Sequence, residues 1–530
     1  MTPAMDAPAG EGDRAKNLRT VARGGTLNLA GAVSNGVLGF LLTVVLSQGL
    51  SSEQLGAFFV SVALFQILAN TAELGADTGF VRIIARYRAL GRTRDLRRTI
   101  AIGLWPVLAI AATFGVLVWL YAPELSSVFA KQAPPRLLVP YLRVLGPLVP
   151  AAAAFTVVLA ATRGIGSMRP TVVLDKFVRA GLQVALELPV VLLGLGGTAV
   201  ALAWGGPYAV GLALALVWLF ALLRKAERSR VTGDPAGGAV AAVVATRALV
   251  SEFWRFTAPR SFAGFFQVGI LWLDTLLIGA LQSASDAGAY AATTRYITVG
   301  TFANLAVIQV LGPKLSELLA RHDRPGAQHV YQVATSWLMM LIWPFYLTLA
   351  VFAPALLGIL DQNSSDTQAV LVILGLTMLV ATGIGPVDVV LLMGGKSSYN
   401  LINTIAALSA NVALNLLLIP RLGIVGAAIA WSVSILINNL APLAQVWAML
   451  RIHPFGIGSP IVAVAAIALF GGVGLAVRSA FGESLIVVLI YGAIATVVYA
   501  AVMWRFRSAL ELRSFSLRRR PKRSGAAEPD

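Results

Sequence analysis

Apolar segments of about 20 to 28 residues recur from residue 25 to residue 505, separated by short links that contain charged residues, glycine or proline. A helix of about 20 apolar residues spans the roughly 30 Å hydrocarbon core of a bilayer. The pattern therefore predicts an all-α polytopic membrane protein with fourteen transmembrane helices. Their predicted bounds are 25–49, 54–76, 99–121, 139–162, 171–194, 198–223, 251–280, 287–311, 329–358, 368–393, 398–419, 423–449, 457–477 and 484–504.

The composition agrees with a membrane location. Of the 530 residues, 58% are hydrophobic and only 12% are charged, too few to cover a soluble protein with polar groups. The net charge of +17 would also suit nucleic acid, but basic residues beside membrane spans set orientation and meet anionic headgroups. We therefore predict the bilayer as a partner and no nucleic acid. The absence of cysteine excludes disulfides and thiolate metal sites.

The distribution of lysine and arginine tests the segment count. With a cytoplasmic N-terminus, the internal links hold 31 basic residues, the external links hold four, and six lie within spans. The positive-inside rule requires this asymmetry, and a wrong segment count would distribute the basic residues over both sides of the membrane. The sequence thus predicts fourteen spans with both termini in the cytoplasm.

A short internal repeat divides the chain. The link between segments 1 and 2 leads into Gly56, Ala57 and Phe58, and the link between segments 7 and 8 leads into the matching triplet 288–290. Both helix pairs run in the same direction, which predicts parallel repeats. The expected domains are a cytoplasmic tail at 1–24, an N-lobe at 25–223, a cytoplasmic linker at 224–250, a C-lobe at 251–449, two added helices at 450–504 and a basic tail at 505–530.

Five predicted helices carry a polar stripe. Arg260, Gln267 and Asp274 are spaced by seven residues, which places them on one helix face. Lipid-facing surfaces avoid such stripes, so we expect these faces to line a central cavity. The other stripes are Asn28 and Asn35 in segment 1; Gln66, Asn70, Glu73 and Asp77 in segment 2; Lys176, Arg179, Gln183 and Glu187 in segment 5; and Asn400, Thr404, Asn411 and Asn415 in segment 11.

Some of these polar residues have a structural alternative, because side-chain hydrogen bonds also hold membrane helices together. Asp274 and Arg295 lie at similar predicted depths on adjacent helices, so we expect them to neutralise each other. Glu73 and Asp77 lie near the cytoplasmic end of their helix, where pairing with the arginines at 82 and 86 is favoured over ion coupling.

Motifs for other chemistry are missing. The string Gly395, Lys396, Ser397 lacks the preceding glycine of a nucleotide-binding loop, and the three histidines have no metal-ligand spacing. We therefore predict no cofactor, no metal and no catalytic residue. An ion gradient, the membrane potential or downstream consumption would then drive any transport. A membrane polymerase or ligase would need a long external loop bearing acidic residues or histidine, and the external links are short.

Three stretches are typical of one group of membrane transporters: GGTLNLAGAVSNGVLGF followed by LSSEQLGAFFVSVALFQIL, LDTLLIGAL with SDAGAYAATTRY, and NVALNLLLIPRLGIVGAAIAWSVS. They resemble Wzx-type polysaccharide flippases of the multidrug/oligosaccharidyl-lipid/polysaccharide (MOP) exporter superfamily. The resemblance covers most of residues 24–449. It implies two six-helix lobes around a cavity and alternating-access transport of undecaprenyl-diphosphate-linked oligosaccharides across the bacterial cytoplasmic membrane for surface polysaccharide biosynthesis.

The resemblance also implies that basic cavity residues neutralise the lipid diphosphate. We expect this role for Arg260, Arg179 and Lys176, with Arg82 receiving the headgroup on entry. The polar residues expected to line the substrate path beside them are Gln267, Asn28, Asn35 and Asn70. The implied partners are the lipid-linked substrate and polysaccharide polymerase or glycosyltransferase machinery. A lipid II flippase and a cation-coupled multidrug exporter of the same superfamily remain alternatives.

Overall fold

The computed structural model describes residues 31–90, 92, 94–129, 134–231, 246–394 and 397–511. Several side chains inside these ranges also fall outside the description, among them those of Arg260 and Gln267. All regular secondary structure in the described ranges is helical, with no strand among these residues. The predicted all-α polytopic class is confirmed.

The described part of the N-terminal half contains helices α1 to α9. A 3-10 turn, Gly146–Leu148, joins α6 to α7, and a π-helix, Thr171–Arg179, leads directly into α8. The bounds are α1 Gly31–Gly49, α2 Ser52–Ala72, α3 Ala76–Ala89, α4 Arg94–Leu120, α5 Ala122–Phe129, α6 Pro135–Leu145, α7 Val149–Gly164, α8 Ala180–Leu192 and α9 Gly196–Val231.

The described part of the C-terminal half contains helices α10 to α19. A π-helix, Ile467–Val473, joins α17 to α18. The bounds are α10 Thr246–Leu281, α11 Ala284–Ala320, α12 Arg324–Val351, α13 Ala353–Gly358, α14 Ser365–Ile384, α15 Val387–Met393, α16 Ser397–Leu450, α17 Gly458–Ala466, α18 Gly474–Phe481 and α19 Leu485–Arg505.

Ten helical stretches in the described chain are long and apolar enough to cross a membrane. Segments 11 and 12 fall on the single helix α16, which is interrupted at Gly423, where φ is 58° and ψ is −137°. Only glycine adopts this conformation without strain, so a break between two spans falls at this position. The count of fourteen stays a prediction.

The two repeat motifs begin helices in the same way. Ser51 caps α2 by accepting a hydrogen bond from the Gln54 backbone amide, and Ser283 caps α11 by accepting one from Asp286. A serine at this position satisfies an amide that the first turn leaves without a partner. Each glycine-containing motif therefore lies in the first turns of its helix, at the end of the bundle predicted to face outward.

Helix α2 connects the two halves of the bundle, because it packs against α10 and α11 as well as against α6 and α7. Within the N-terminal half, α7 packs against α3, α4 and α9, and within the C-terminal half α14 packs against α12 and α16. Helix α17 adds to the outside of α12. The lobe boundaries remain predictions, and residues 232–245 of the expected linker lie outside the described chain.

The outer surface of the bundle is apolar. Ile486, Leu489 and Val497 on α19 are each between 63% and 70% exposed, whereas Glu187, Asn411 and Asn415 are fully buried. A water-soluble protein shows the opposite distribution. The surface is suited to lipid, and these polar groups are buried inside the bundle.

Candidate functional site

The larger described cavity lies inside the N-terminal half and has a volume of about 520 Å³. Helices α1, α2, α7 and α9 and the π-helix Thr171–Arg179 form its walls. Three basic and two acidic side chains line it, together with neutral polar groups. The charged residues are Arg163, Lys176, Arg179, Glu73 and Asp175.

The π-helix concentrates the charges of the fifth predicted segment on the cavity wall. Asp175 accepts from Arg179 Nε at 2.8 Å and contacts Lys176 Nζ at 2.6 Å. Lys176 and Arg179 therefore line the cavity, but both are partly neutralised by Asp175, which is not part of the predicted polar stripe. Gln183 also reaches a cavity wall, whereas Glu187 is fully buried and lines neither of the two cavities described here.

Arg179 is the most constrained of these cations. Its Nη1 donates to Gln183 Oε1 at 3.0 Å and its Nη2 to Asn35 Oδ1 at 3.4 Å. Its Cζ lies 4.9 Å from the centre of the Tyr208 ring, within the range of a cation–π contact. Four neighbours thus hold the guanidinium in one orientation, at the boundary between two cavities.

The second cavity has a volume of about 180 Å³ and shares Asn35, Gln66, Arg179 and Tyr208 with the first. Its far wall comes from the C-terminal half, through Trp272 of α10 and Arg295 of α11. The two cavities therefore adjoin at these shared residues, and the smaller one reaches the contact between the halves. Cations from both halves, Arg179 and Arg295, line the smaller cavity.

The predicted ion pair between Asp274 and Arg295 does not form. Asp274 accepts hydrogen bonds from Asn415 Nδ2 at 2.7 Å and from the Tyr290 hydroxyl at 3.1 Å. Arg295 instead lies between two aromatic rings, those of Phe59 and Trp272, with Cζ 5.5 Å and 5.3 Å from their centres. Two neutral donors already satisfy the carboxylate, and the cation faces the smaller cavity.

The predicted pairing of Glu73 and Asp77 with nearby arginines is also absent from the described contacts. Arg86 forms its ion pair with Glu252 of α10 at 2.9 Å, and Arg82 lies over the Phe256 ring at 4.2 Å. Both arginines turn toward α10 because this helix packs against α3. Glu73 lines the larger cavity, while Asp77 accepts from the neighbouring Thr78 hydroxyl at 3.4 Å.

Other predicted residues divide into two groups. Asn35 and Asn70 line the larger cavity, and the Asn70 side-chain amide donates to the Gln66 backbone carbonyl at 2.8 Å. Asn28 lies outside the described residues, as do the side chains of Arg260 and Gln267. Their expected place on the path stays a prediction.

Sequence reasoning missed five polar residues of the larger cavity: Arg163, Asp175, Tyr208, Thr156 and Thr171. The sequence assigns Arg163 to an internal link, although its position directly after the apolar segment 139–162 is a signal that it could reach inward. Asp175 was visible as a carboxylate inside segment 5. Tyr208 gave no distinguishing signal, because aromatic residues are common throughout the chain.

The helical fold, its apolar outer surface and its polar cavities define a polytopic membrane protein. Residues 31–187 match the MatE family model. The inward-facing conformation of a multidrug resistance MATE family transporter of the MOP superfamily aligns with a TM-score of 0.64 and 17% identity, over 79% of this chain and 94% of that chain. Lipid II flippase MurJ, in an inward closed conformation, aligns with a TM-score of 0.64 and 12% identity, over 89% and 97% of the two chains.

A curated relative points in the same direction. The chain is 25% identical over 193 residues to the "Probable low-salt glycan biosynthesis flippase Agl15" of Haloferax volcanii. The match covers 36% of this chain, and it spans only 40% of the length of that relative. Together these similarities support a MOP exporter or flippase, a multi-pass membrane protein.

Proposed function

We propose that this protein flips undecaprenyl-diphosphate-linked oligosaccharides from the inner to the outer leaflet of the bacterial cytoplasmic membrane, for surface polysaccharide biosynthesis. Its termini would face the cytoplasm, as the distribution of basic residues predicts. The partners would be the lipid-linked substrate and, after transport, the enzymes that polymerise or transfer the glycan.

The observation that carries this proposal is the pair of adjoining cavities joined at Arg179, with Arg295 of the other half lining the smaller one. A diphosphate bearing sugars cannot cross hydrocarbon without solvation. Arginine guanidinium groups bind phosphate oxygens in pairs, and the amides at Asn35 and Gln66 suit sugar hydroxyls. The lipid tail would stay in the bilayer beside the helices.

In alternating access, the proposed substrate path opens first to the cytoplasmic side and then to the external side. The Gly56 and Gly288 motifs hold the halves together at the end predicted to be external, while Glu73 and Arg163 place the larger cavity toward the predicted cytoplasmic end. Separation of the glycine motifs would open the path outward. The two lobes of the repeat are the proposed moving bodies.

Two alternatives have support of their own. The MurJ likeness favours a lipid II flippase, which would use the same cationic path for a different sugar unit. The likeness to a multidrug resistance MATE family transporter favours a multidrug exporter, and the acidic residues Glu73 and Asp175 could face a cationic drug. Cargo identity distinguishes the three functions, because the first two cargoes are anionic lipids with different sugar units and the third is a soluble cation.

The test is transport by the purified protein in sealed lipid vesicles. Labelled prenyl-diphosphate oligosaccharide, labelled lipid II and a fluorescent cationic drug are supplied in parallel, and their transbilayer movement is followed. We expect movement of the first substrate, and R295Q to reduce its initial rate about tenfold, since hydrogen bonds to charged groups contribute about 1.5–3 kcal/mol. Movement of lipid II or of the drug alone would overturn the proposal in favour of the corresponding alternative.

A further inference from the structure

The segment that follows α19 is fixed to helix α12. Leu510 is buried, and its backbone carbonyl accepts a hydrogen bond from Trp337 Nε1 at 2.9 Å. Glu511 Oε1 lies 2.9 Å from Nε2 of His329, on the same helix as Trp337. These contacts fix the point at which residues 512–530 begin, although those residues themselves lie outside the described chain.

The surface beside this anchor has the composition of a membrane interface. Trp504, near the end of α19, is 65% exposed, and Arg507 Cζ lies 5.0 Å from the centre of its ring. Ile457 is 79% exposed and lines the same small pocket as Glu511, and the nearby Phe455 is also exposed. Exposed tryptophan with a neighbouring cation is typical of the headgroup level of a bilayer. The anchor therefore lies at the predicted cytoplasmic headgroup level.

The sequence directly after the anchor is strongly basic. Residues 512–523 contain six basic side chains and no acidic one: Arg513, Arg518, Arg519, Arg520, Lys522 and Arg523. The Cα atom of Arg513 is at most about 7 Å from that of Glu511, since an extended chain advances by about 3.5 Å per residue. This distance is shorter than the Debye length of about 8 Å at physiological ionic strength. Salt therefore only partly screens the first of these charges from a headgroup beside the anchor.

Carboxylates of the protein near this end of α12 already have partners. Asp323 accepts a hydrogen bond from the Gly326 backbone amide at 2.9 Å, and Glu317 forms an ion pair with Arg321 at 3.0 Å. The Glu511 carboxylate contacts the histidine of the anchor. Counter-charges for residues 512–523 are therefore better supplied by the membrane, whose cytoplasmic leaflet carries anionic lipids.

We propose that residues 512–523 bind anionic phospholipid headgroups of the cytoplasmic leaflet, beside the anchor formed by Leu510 and Glu511. Clustered lysine and arginine next to a transmembrane helix attract anionic lipid through charge, and Phe515 and Leu517 supply apolar groups for the interface. The inference requires the predicted cytoplasmic C-terminus but not a particular cargo, so it can fail while the flippase function holds, and the reverse.

The test uses the full-length protein with a single fluorophore on S524C, because the natural chain contains no cysteine. The protein is placed in nanodiscs of phosphatidylcholine alone, or of phosphatidylcholine mixed with phosphatidylglycerol, and a headgroup spin label quenches a fluorophore at the surface. We expect strong quenching in the anionic nanodiscs, weak quenching in the neutral ones, and loss of the difference at high salt. This comparison uses the unaltered basic residues, so it does not depend on the folding of a charge variant.

Two variants of the basic segment separate charge from side-chain geometry. One replaces all six basic residues by glutamine, and the other replaces the five arginines by lysine. We expect each removed positive charge to lower the ratio of bound to free segment about fivefold, so the glutamine variant should lose the dependence on anionic lipid. The lysine variant should keep it, because a membrane surface recognises charge without requiring a planar guanidinium. R224Q, at an exposed arginine of α9, is the control and should behave as the wild type does.

Several outcomes would overturn the proposal. Equal quenching in neutral and anionic nanodiscs, or quenching that salt does not change, would exclude binding through headgroup charge. Loss of binding in the lysine variant would indicate a partner that recognises guanidinium geometry, such as a protein, instead of a lipid surface. Equal weakening in R224Q would show that the effect does not belong to this segment.

Discussion

Gly56 of α2 and Gly288 of α11 lie so close together that a Cβ built on Gly288 would be 2.7 Å from the Gly56 Cα. A Cβ built on Gly56 would overlap the Ala284 carbonyl oxygen. The two repeat motifs thus meet each other, and neither helix can carry a side chain at the contact. The structure closes the end of the bundle predicted to be external by direct backbone packing.

Alanine at Gly56 should therefore prevent this closure. We expect G56A to lengthen the distance between spin labels on Glu53 and Asn363, because overpacking a close contact typically costs about 1–3 kcal/mol. Gly492 on α19 has open space around it and supplies the control, since alanine there meets nothing within 4 Å. An unchanged distance distribution in G56A would contradict a role of this contact in closure.

Arg260 remains the predicted headgroup cation of α10. We expect R260A to lower the initial rate of oligosaccharide-lipid transport in vesicles about tenfold, equivalent to about 1.4 kcal/mol, with R260K retaining part of the rate. The physical reason is that a diphosphate crossing the bilayer without a neutralising cation meets a higher free-energy barrier. Unaltered transport by R260A at normal expression would remove this residue from the path.

The network around Asp274 should stabilise the C-terminal half. Leucine at Asn415 removes the donor at 2.7 Å from the carboxylate, and we expect thermal unfolding in detergent to show a loss of about 1–3 kcal/mol. In a double-mutant cycle, D274L/N415L should cost less than the sum of the single changes, because no carboxylate is left without its donor. Additive losses would show that the two side chains do not interact.

Glu187 should reduce stability in its present environment. The residue is fully buried, and neither carboxylate oxygen has a hydrogen-bond partner in the described chain. We expect E187M to raise the free energy of unfolding by about 1–3 kcal/mol, the usual cost of an unsatisfied buried group, and E187Q to raise it less. A lower unfolding temperature for E187M, with normal expression, would indicate that the carboxylate has a stabilising partner.

Topology can be tested by single-cysteine labelling, because the natural chain contains no cysteine. Leu90 is 56% exposed at the end of α3, and we expect L90C in intact cells to be protected from a membrane-impermeant maleimide. E483C, in the predicted last external link, should react. Labelling of L90C from outside would overturn the orientation and the count of fourteen.

The helices and several cavity residues followed from local pattern. Apolar length predicts a span wherever it occurs, since hydrocarbon imposes the same requirement on every segment. Spacing also brought Lys176 and Arg179 to one wall, because residues three apart share a helix face. These features depend only on neighbours in the chain.

Tertiary structure alone decided which distant groups meet. The sequence predicts similar depths for Asp274 and Arg295, but the packing of α10 against α16 pairs Asp274 with Asn415, and Arg295 lies between aromatic rings. Helix packing likewise places Arg163, which the sequence assigns to a link, on the wall of the larger cavity. It also brings Gly56 and Gly288 into contact. Periodicity specifies the face of a helix but not the partner of that face, because the partner is chosen by packing among helices far apart in sequence.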